Sequence, residues 1–377
     1  MASHRDYILI VLVAGIGDLI LASKSIRAIR NGYPEAEIHL LTSTDAAPLA
    51  RNYSYIDCVW PFPIREWRAG RLRLRDLINA MRGLSGRGYD LVVNLYASQS
   101  VAGAIRMGCL LMLSGAMERV GIDGKGLGRF LTKKIQASLL TGRHVADMML
   151  EVARLAGGVA DDSGIEVFWG IAAEERCRSL LDAGTPVVGM NPGGNRRNRR
   201  WNPANFVVVA EGLVEQEGAS VVLLGGPGEE AIAERIQRSM RHNVINLAGR
   251  LELEELACII SRLDVLVTND SAPMHIAAAV GTPQVVLFGP EDPGTFHPYT
   301  DPKLYELVCA DVACRPCSKD DCVRPLCLDL IPPEFVLERS RRFIRGKFHP
   351  LGRRNGVATI ATERECRVPR VFPIQSI

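Results

Sequence analysis

The densest chemistry in this sequence lies in one run, Thr268-Asn269-Asp270-Ser271-Ala272-Pro273-Met274-His275-Ile276-Ala277-Ala278-Ala279-Val280-Gly281-Thr282-Pro283. An apolar stretch precedes it, so Asp270, Ser271 and His275 fall at a strand end and in the first turns of a helix. The alanines behind them allow that helix to lie close on a sheet. Free N–H groups at a helix start, backed by the helix dipole, receive anions such as a diphosphate, which makes Asp270, Ser271, Ala272, Met274 and His275 binding candidates. A lone histidine is more often structural. One that follows Asp-Ser and faces other anion-binding loops is a better candidate for a ligand contact.

Three further loops have the same strand-turn-helix setting. Asn191-Pro192-Gly193-Gly194 leads into Arg196, Arg197, Arg199 and Arg200, then Trp201. Guanidinium forks match phosphate oxygens, and Gly193 and Gly194 let a ligand approach the backbone, so these glycines with Arg196 and Arg199 are candidates. A solvated basic loop is the alternative, but its place at a strand's carboxyl end favours a ligand. In Leu224-Gly225-Gly226-Pro227-Gly228-Glu229-Glu230, Gly226 can admit a ligand and Glu229 can accept from ribose hydroxyls, whereas Glu230 reads as a complement to the helix dipole. In Gly15-Ile16-Gly17-Asp18, Asp18 is equally a helix cap or an acid facing a cleft. Ile20 stands where a dinucleotide fingerprint has its third glycine, which argues against NAD. Phe288-Gly289-Pro290-Glu291-Asp292-Pro293 adds another wall.

Such loops need a scaffold that brings strand ends to one edge. Apolar runs at 7–13, 38–41, 58–60 and 91–95 read as buried strands, with helical spacing near 18–30, 44–52, 72–84, 101–114 and 145–156. After a loop at 157–164 a second cycle begins. Its strands are at 187–190, 220–224, 244–246, 265–268 and 284–288, and its helices at 205–216, 229–240, 253–261, 273–280 and 333–344. This alternation predicts an α/β protein of two Rossmann-like, doubly wound domains facing across a cleft. The expected division is 1–160, 161–345 and a weakly ordered tail at 346–377. Because Asp18 and Asp270 to His275 come from different halves, the domains are expected to close over their ligands about residues 157–164, with an open cleft before binding.

Composition narrows the classes. The 377 residues are 47% hydrophobic and 23% charged, with a net charge of +3. The tail supplies six Lys/Arg and two Asp/Glu, leaving the remainder at −1, so the body is not a basic nucleic-acid binder. The apolar stretches at 7–14 and 107–117 are too short to span a bilayer, and the expectation is a cytoplasmic protein with at most peripheral contact with the inner membrane. Cys309, Cys314, Cys317, Cys322 and Cys327 form a cluster in which structural zinc or iron at Cys314, Cys317, Cys322 and Cys327 competes with free thiols. Arg65, Arg68, Arg71, Arg73 and Arg75 surround Trp67. They read either as a solvated helix face or as a contact for phosphorylated saccharide or anionic lipid.

Taken together, Gly17-Asp18, the Asn-Pro-Gly-Gly loop with Arg199-Arg200-Trp201, Leu-Gly-Gly-Pro and the run from Asn269 to Pro283 with Leu287-Phe288-Gly289-Pro290 resemble glycosyltransferase family nine, the ADP-heptose:lipopolysaccharide heptosyltransferases. The resemblance implies the GT-B arrangement and inverting transfer of heptose or a related sugar from ADP-heptose to a lipopolysaccharide-type acceptor. It places the donor on the C-terminal domain, makes Asp18 the base and puts Gly17, Arg65 and Arg68 on the acceptor side. It requires no cofactor, and the sequence has no Asp-x-Asp motif for a catalytic metal. Arg199 stands where the family usually has Lys, Lys24 where it has Pro and Ala22 where many members have Thr. Two other readings keep the same loops: transfer from a different nucleotide sugar into another surface glycan, and a non-catalytic nucleotide-sugar-binding protein. Asp18 argues against the second, since a binding module needs no base opposite a diphosphate.

Overall fold

The computed structural model describes residues 5–68, 84, 86–98, 100–124, 126–181, 184–317, 319, 322 and 324–346. It contains two six-stranded parallel sheets. The first is built from β1 (Tyr7–Leu12), β2 (Glu37–Ser43), β3 (Cys58–Phe62), β4 (Leu91–Asn94), β5 (Glu118–Asp123) and β6 (Lys133–Gln136), in the order β3-β2-β1-β4-β5-β6. The second comprises β7 (Val187–Asn191), β8 (Ser220–Leu223), β9 (Ile245–Asn246), β10 (Val265–Asn269), β11 (Gln284–Phe288) and β12 (Tyr305–Cys309), in the order β12-β11-β10-β7-β8-β9. Both have the Rossmann order, and in each the winding reverses between two central strands, β1 and β4 or β7 and β10. A crevice opens there at the carboxyl ends.

The longer helices are α1 (Ile16–Gly32), α2 (Val101–Leu113), α3 (Val145–Leu155), α4 (Ile171–Arg178), α5 (Pro203–Glu217), α6 (Glu230–Ser239), α7 (Leu253–Ser261), α8 (Ala272–Val280) and α9 (Pro333–Arg345). The two-residue period of β1 sorts them. Ile8, Ile10 and Leu12 pack with α1 and α3, while Leu9 and Val11 pack with Met107, Leu110 and Leu111 of α2. Strands buried on both faces give the unbroken apolar runs seen in the sequence. Strands β5, β6 and β12 and helix α4 add to the elements expected from sequence. The expected helix at 72–84 lies outside the described residues except for Leu84, as does the tail after Gly346.

One apolar cluster runs from α1 and α3 through α7 and α8, so the two halves touch along a buried contact. The segment expected as the pivot, 157–164, makes several bonds to α1. Val159 N donates to Ala28 O at 2.8 Å, and Arg27 reaches Asp161 at 2.8 Å and Glu166 at 2.6 Å. The Arg27 fork holds the Asp161 carboxyl well below the usual carboxylate range. These bonds fasten the segment to α1, and the first chain free of them lies past Glu166.

Candidate functional site

Each crevice receives the loops singled out in the sequence. At the first, Gly15 caps α1 in extended backbone, and its N–H donates to Asp18 Oδ2 at 2.9 Å. Asp18 therefore does cap its helix, while lying at a strand's carboxyl end on the turn that meets the other domain. At the second, α8 begins immediately after β10, with Ser271 as its cap. Asn191 Nδ2 donates to Ser271 Oγ at 3.1 Å, and Asn269 Nδ2 donates to the carbonyls of Pro192 and Gly193, both at 2.9 Å. Trp201 N donates to Asn269 Oδ1 at 3.1 Å, and the Trp201 indole is fully buried, edge-on to Phe206. The arginine loop is thus pinned at both ends by core residues. Asn191 and Asn269, at the ends of their strands, are positioning residues that the sequence reading quoted without a role.

Arg199 sits in a short 3₁₀ turn and is held by two carboxylates, Asp270 at 3.3 Å and Glu291 through a very short contact. Arg196 lies 3.6 Å from Glu291 and is more exposed. Burial pushes the Asp270 carboxyl up to about 6, against the pull of Arg199 and reinforced by Glu291. Glu229 closes a second clasp. Its carboxylate accepts from Gly194 N at 2.6 Å and Gly226 N at 2.8 Å, and a Cβ at Gly193 would stand 2.2 Å from it. Glu229 thereby joins the two glycine loops, a job beyond the ribose contact expected of it. Met274 is different. Its side chain is packed into the core with Val286 and Phe288, so it does not line the cleft.

The two crevices meet. A Cβ on Gly17 would lie 2.6 Å from His275 Cδ2 and 3.7 Å from Ala272 Cα, so the start of α1 rests on the start of α8. His275 is buried, its Nδ1 has no hydrogen-bond partner, and burial with His144 and His297 nearby pushes its pKa down to about 3. It is a neutral imidazole that offers a hydrogen bond rather than a charge. Beside it, His144 Nε2 meets His297 O at 2.9 Å and Lys24 Nζ donates to Tyr299 OH at 3.2 Å, so Lys24 serves as a bridge between domains. Gly17→Ala is expected to cost about 1–3 kcal/mol through overpacking against His275. Thermal unfolding of Gly17→Ala, His275→Ala and the double variant checks this: the double should lose less than the sum of the singles.

Arg65 and Arg68 lie in the helical turn Ile64–Arg68, and their side chains are outside the described residues. Cys309, Cys314, Cys317, Cys322 and Cys327 are not paired in disulfides, and burial pushes the Cys327 thiol's pKa up. Among the described residues, the group of three or more possible ligands lying within 4.8 Å of one another is Glu211, Glu215 and His242, not the cysteines. Arg241 already occupies that acidic pair, at 2.9 and 2.7 Å. The cysteine segment instead braces the site, with Cys317 N donating to Pro290 O at 2.8 Å and Asn198 Nδ2 to Lys319 O at 2.8 Å.

A sequence model of glycosyltransferase family 9 (heptosyltransferase) matches residues 78–327, well over half of the chain. The chain belongs to glycosyltransferase family 9. The family match contains the arginine loop, the glycine clasp and the α8 start, and begins downstream of Asp18. Lipopolysaccharide heptosyltransferase 3 of Escherichia coli is 27% identical over 293 residues, covering 76% of this chain and 84% of that protein. Among solved structures, the family 9 glycosyl transferase of Veillonella parvula superposes with a TM-score of 0.76 at 22% identity, over 90% of this chain and 98% of that one. The E. coli ADP-heptose lps heptosyltransferase II superposes at 0.71 with 20% identity, over 90% and 99%. The fold of this family 9 chain is therefore GT-B, and its activity is that of a heptosyltransferase-like glycosyltransferase.

Proposed function

We propose that this enzyme transfers heptose, or a closely related sugar, from ADP-heptose to a lipopolysaccharide-type saccharide with inversion at the anomeric carbon. The observation that carries this reading is the contact of Gly17, the residue before Asp18, with the start of α8, which brings the turn bearing a carboxylate of one domain to the anion-receiving helix end of the other. The Asp18 carboxylate takes the proton of an acceptor hydroxyl, whose oxygen attacks the anomeric carbon. The bond from that carbon to the diphosphate breaks, and the leaving diphosphate keeps the electron pair. Its growing charge is met by the N–H groups of Ser271 and Ala272 and by Arg199 and Arg196, an electrostatic stabilisation aimed at the transition state. His275 supplies a neutral hydrogen bond, and Glu229 keeps lone pairs for ribose hydroxyls while clasping Gly194 and Gly226. No step is assigned to a metal or to the cysteines. The domains divide near residue 166, with acceptor on the N-terminal side and donor on the other.

The names of the similar proteins, which include lipopolysaccharide and ADP-heptose, support the choice of acceptor and donor. No described helix is long and apolar enough to cross a membrane. A lipid-borne acceptor would therefore be met by peripheral contact at the inner membrane's cytoplasmic face. A screen of nucleotide sugars by thermal unfolding tests the reading. At one concentration for all donors ADP-heptose should give the largest shift, about 2.7 kcal/mol where that concentration is 100 times its Kd. A larger shift with a uridine or guanosine sugar would select the other-glycan alternative, and no shift with any nucleotide diphosphate would defeat the donor assignment.

A further inference from the structure

Helix α2 covers the sheet face opposite α1 and α3, and so lies on the side of the N-terminal domain turned away from α8. Its inner stripe of Ala104, Met107, Leu110 and Leu111 is buried, as a helix packed on a sheet requires. The outer stripe is also apolar. Val101 is 64% exposed, Ile105 62% and Met112 58%; Cys109 and Leu113 are exposed on the same face, and Met117 just beyond is 86% exposed. Positions 101, 105, 109 and 112 repeat at helical spacing, so they form one continuous stripe. A helix apolar on all sides is normally buried or set against lipid.

The stripe itself carries no acidic residue. No Asp or Glu occurs between Asp90 and Glu118, and Arg106 is the one charged residue of α2. Phe130 packs against Gly108 of α2, which brings the exposed Arg129 to its flank, and Arg119 donates to Ala116 O at 2.6 Å at its far end. Glu118, just past Met117, is paired with Arg5 at 2.6 Å and Lys133 at 2.8 Å, and Glu66, beside Trp67, is exposed. Arg106 Nη1 reaches Trp67 O at 3.5 Å, so the arginine-rich stretch beginning at Arg65 starts beside this helix. An apolar stripe flanked by Arg106, Arg119 and Arg129 complements the acyl boundary and the headgroups of an anionic bilayer.

We propose that the outer face of α2 is the membrane-docking surface of this enzyme, lying in the interface of an anionic phospholipid bilayer. This builds on the lipid-borne acceptor of the proposed function. The N-terminus of α2 follows the carboxyl end of β4, at the first crevice, so a docked helix would set the mouth of the acceptor side against the membrane. No contact with the catalytic or donor residues is involved.

The test uses the full-length protein with vesicles of phosphatidylglycerol and phosphatidylethanolamine, free of acceptor and donor. Wild type should float with them and be released by raised salt, whereas Ile105→Glu/Met112→Glu should partition at least tenfold less. Both proteins should turn over a deacylated, water-soluble acceptor equally, and the variant should lose at least tenfold in rate on acceptor embedded in vesicles. Equal vesicle binding by the two proteins would overturn the proposal. So would a wild-type dimer, seen by light scattering, that the substitutions split, since a second copy would then be the occupant of the stripe. If neither protein acts on any acceptor while vesicle binding still differs, the acceptor assignment fails and the docking surface stands.

Discussion

Asp18→Asn should lower the transfer rate by about 10²–10⁴-fold while donor affinity stays within about twofold of wild type. The separation follows from where the residue sits. The carboxylate belongs to the first turn of α1, and the arginine loop, the glycine clasp and the start of α8 all belong to the other domain. Asn is the informative replacement because Asp18 has two jobs. Its Oδ2 accepts from Gly15 N, and an amide oxygen can do the same, so the cap survives and the capacity to take a proton does not. Loss of a negative charge at the N-terminus of the helix should cost no more than about 0.3–1 kcal/mol. Thermal unfolding, donor calorimetry and single-turnover transfer on one preparation decide the matter. A folded Asn variant with near-normal turnover would leave Asp18 a capping residue only.

The sequence made the donor side more legible than the acceptor side, and the reason is physical. Strands buried on both faces announce themselves as apolar runs, and 284–288 and 253–261 were read to the residue. Strand β6 is Lys-Lys-Ile-Gln at an exposed edge, and β12 is a half-buried edge strand, so neither carries the apolar signal that comes from double burial. The candidate binding loops stood out because glycine, arginine and helix-start residues at fixed places after a strand form a local pattern. What sequence could not show was which partners those residues have within the protein. Glu229 was read as facing a ribose, yet its oxygens join Gly194 and Gly226. Met274 lies in the right motif but on the inward side of α8, because the residues of one short helix divide between cleft and core. Asn191 and Asn269 had a signal available: a polar amide ending an otherwise apolar central strand must find buried partners. The cross-domain contacts of Gly17 with His275 and Lys24 with Tyr299 depend on how two separate folds meet, which no local pattern encodes.

Arg199→Ala should weaken donor binding by about 10–100-fold, the equivalent of the roughly 1.5–3 kcal/mol of a charge-assisted hydrogen bond. Arg199 is the cation shared between Asp270 and Glu291, and a diphosphate must draw it from them. Its removal therefore subtracts an attraction and also leaves two carboxylates facing the incoming anion. This gives the loss a pH dependence of known sign. Burial has already raised Asp270 to about 6, and without the opposing guanidinium its pKa moves further up. Above that range Asp270 is ionised and repels the donor. As pH falls through it, Asp270 takes up a proton and part of the affinity returns. The raised pKa also means that ionised Asp270 weighs against the native state above about pH 6 and is relieved as pH falls toward its unfolded value. Calorimetry at pH 8 and pH 5.5 should thus show the larger defect at pH 8. Arg199→Lys keeps the charge and loses the fork, so it should fall between wild type and Ala, near the arrangement usual in the family. Glu291→Gln frees Arg199 from one of its two holds and should bind donor at least as well as wild type. Equal defects for Ala at both pH values, or full affinity in Ala, would show that the diphosphate is held by the α8 N–H groups alone and that Arg199 serves to tie Asp270 to Glu291.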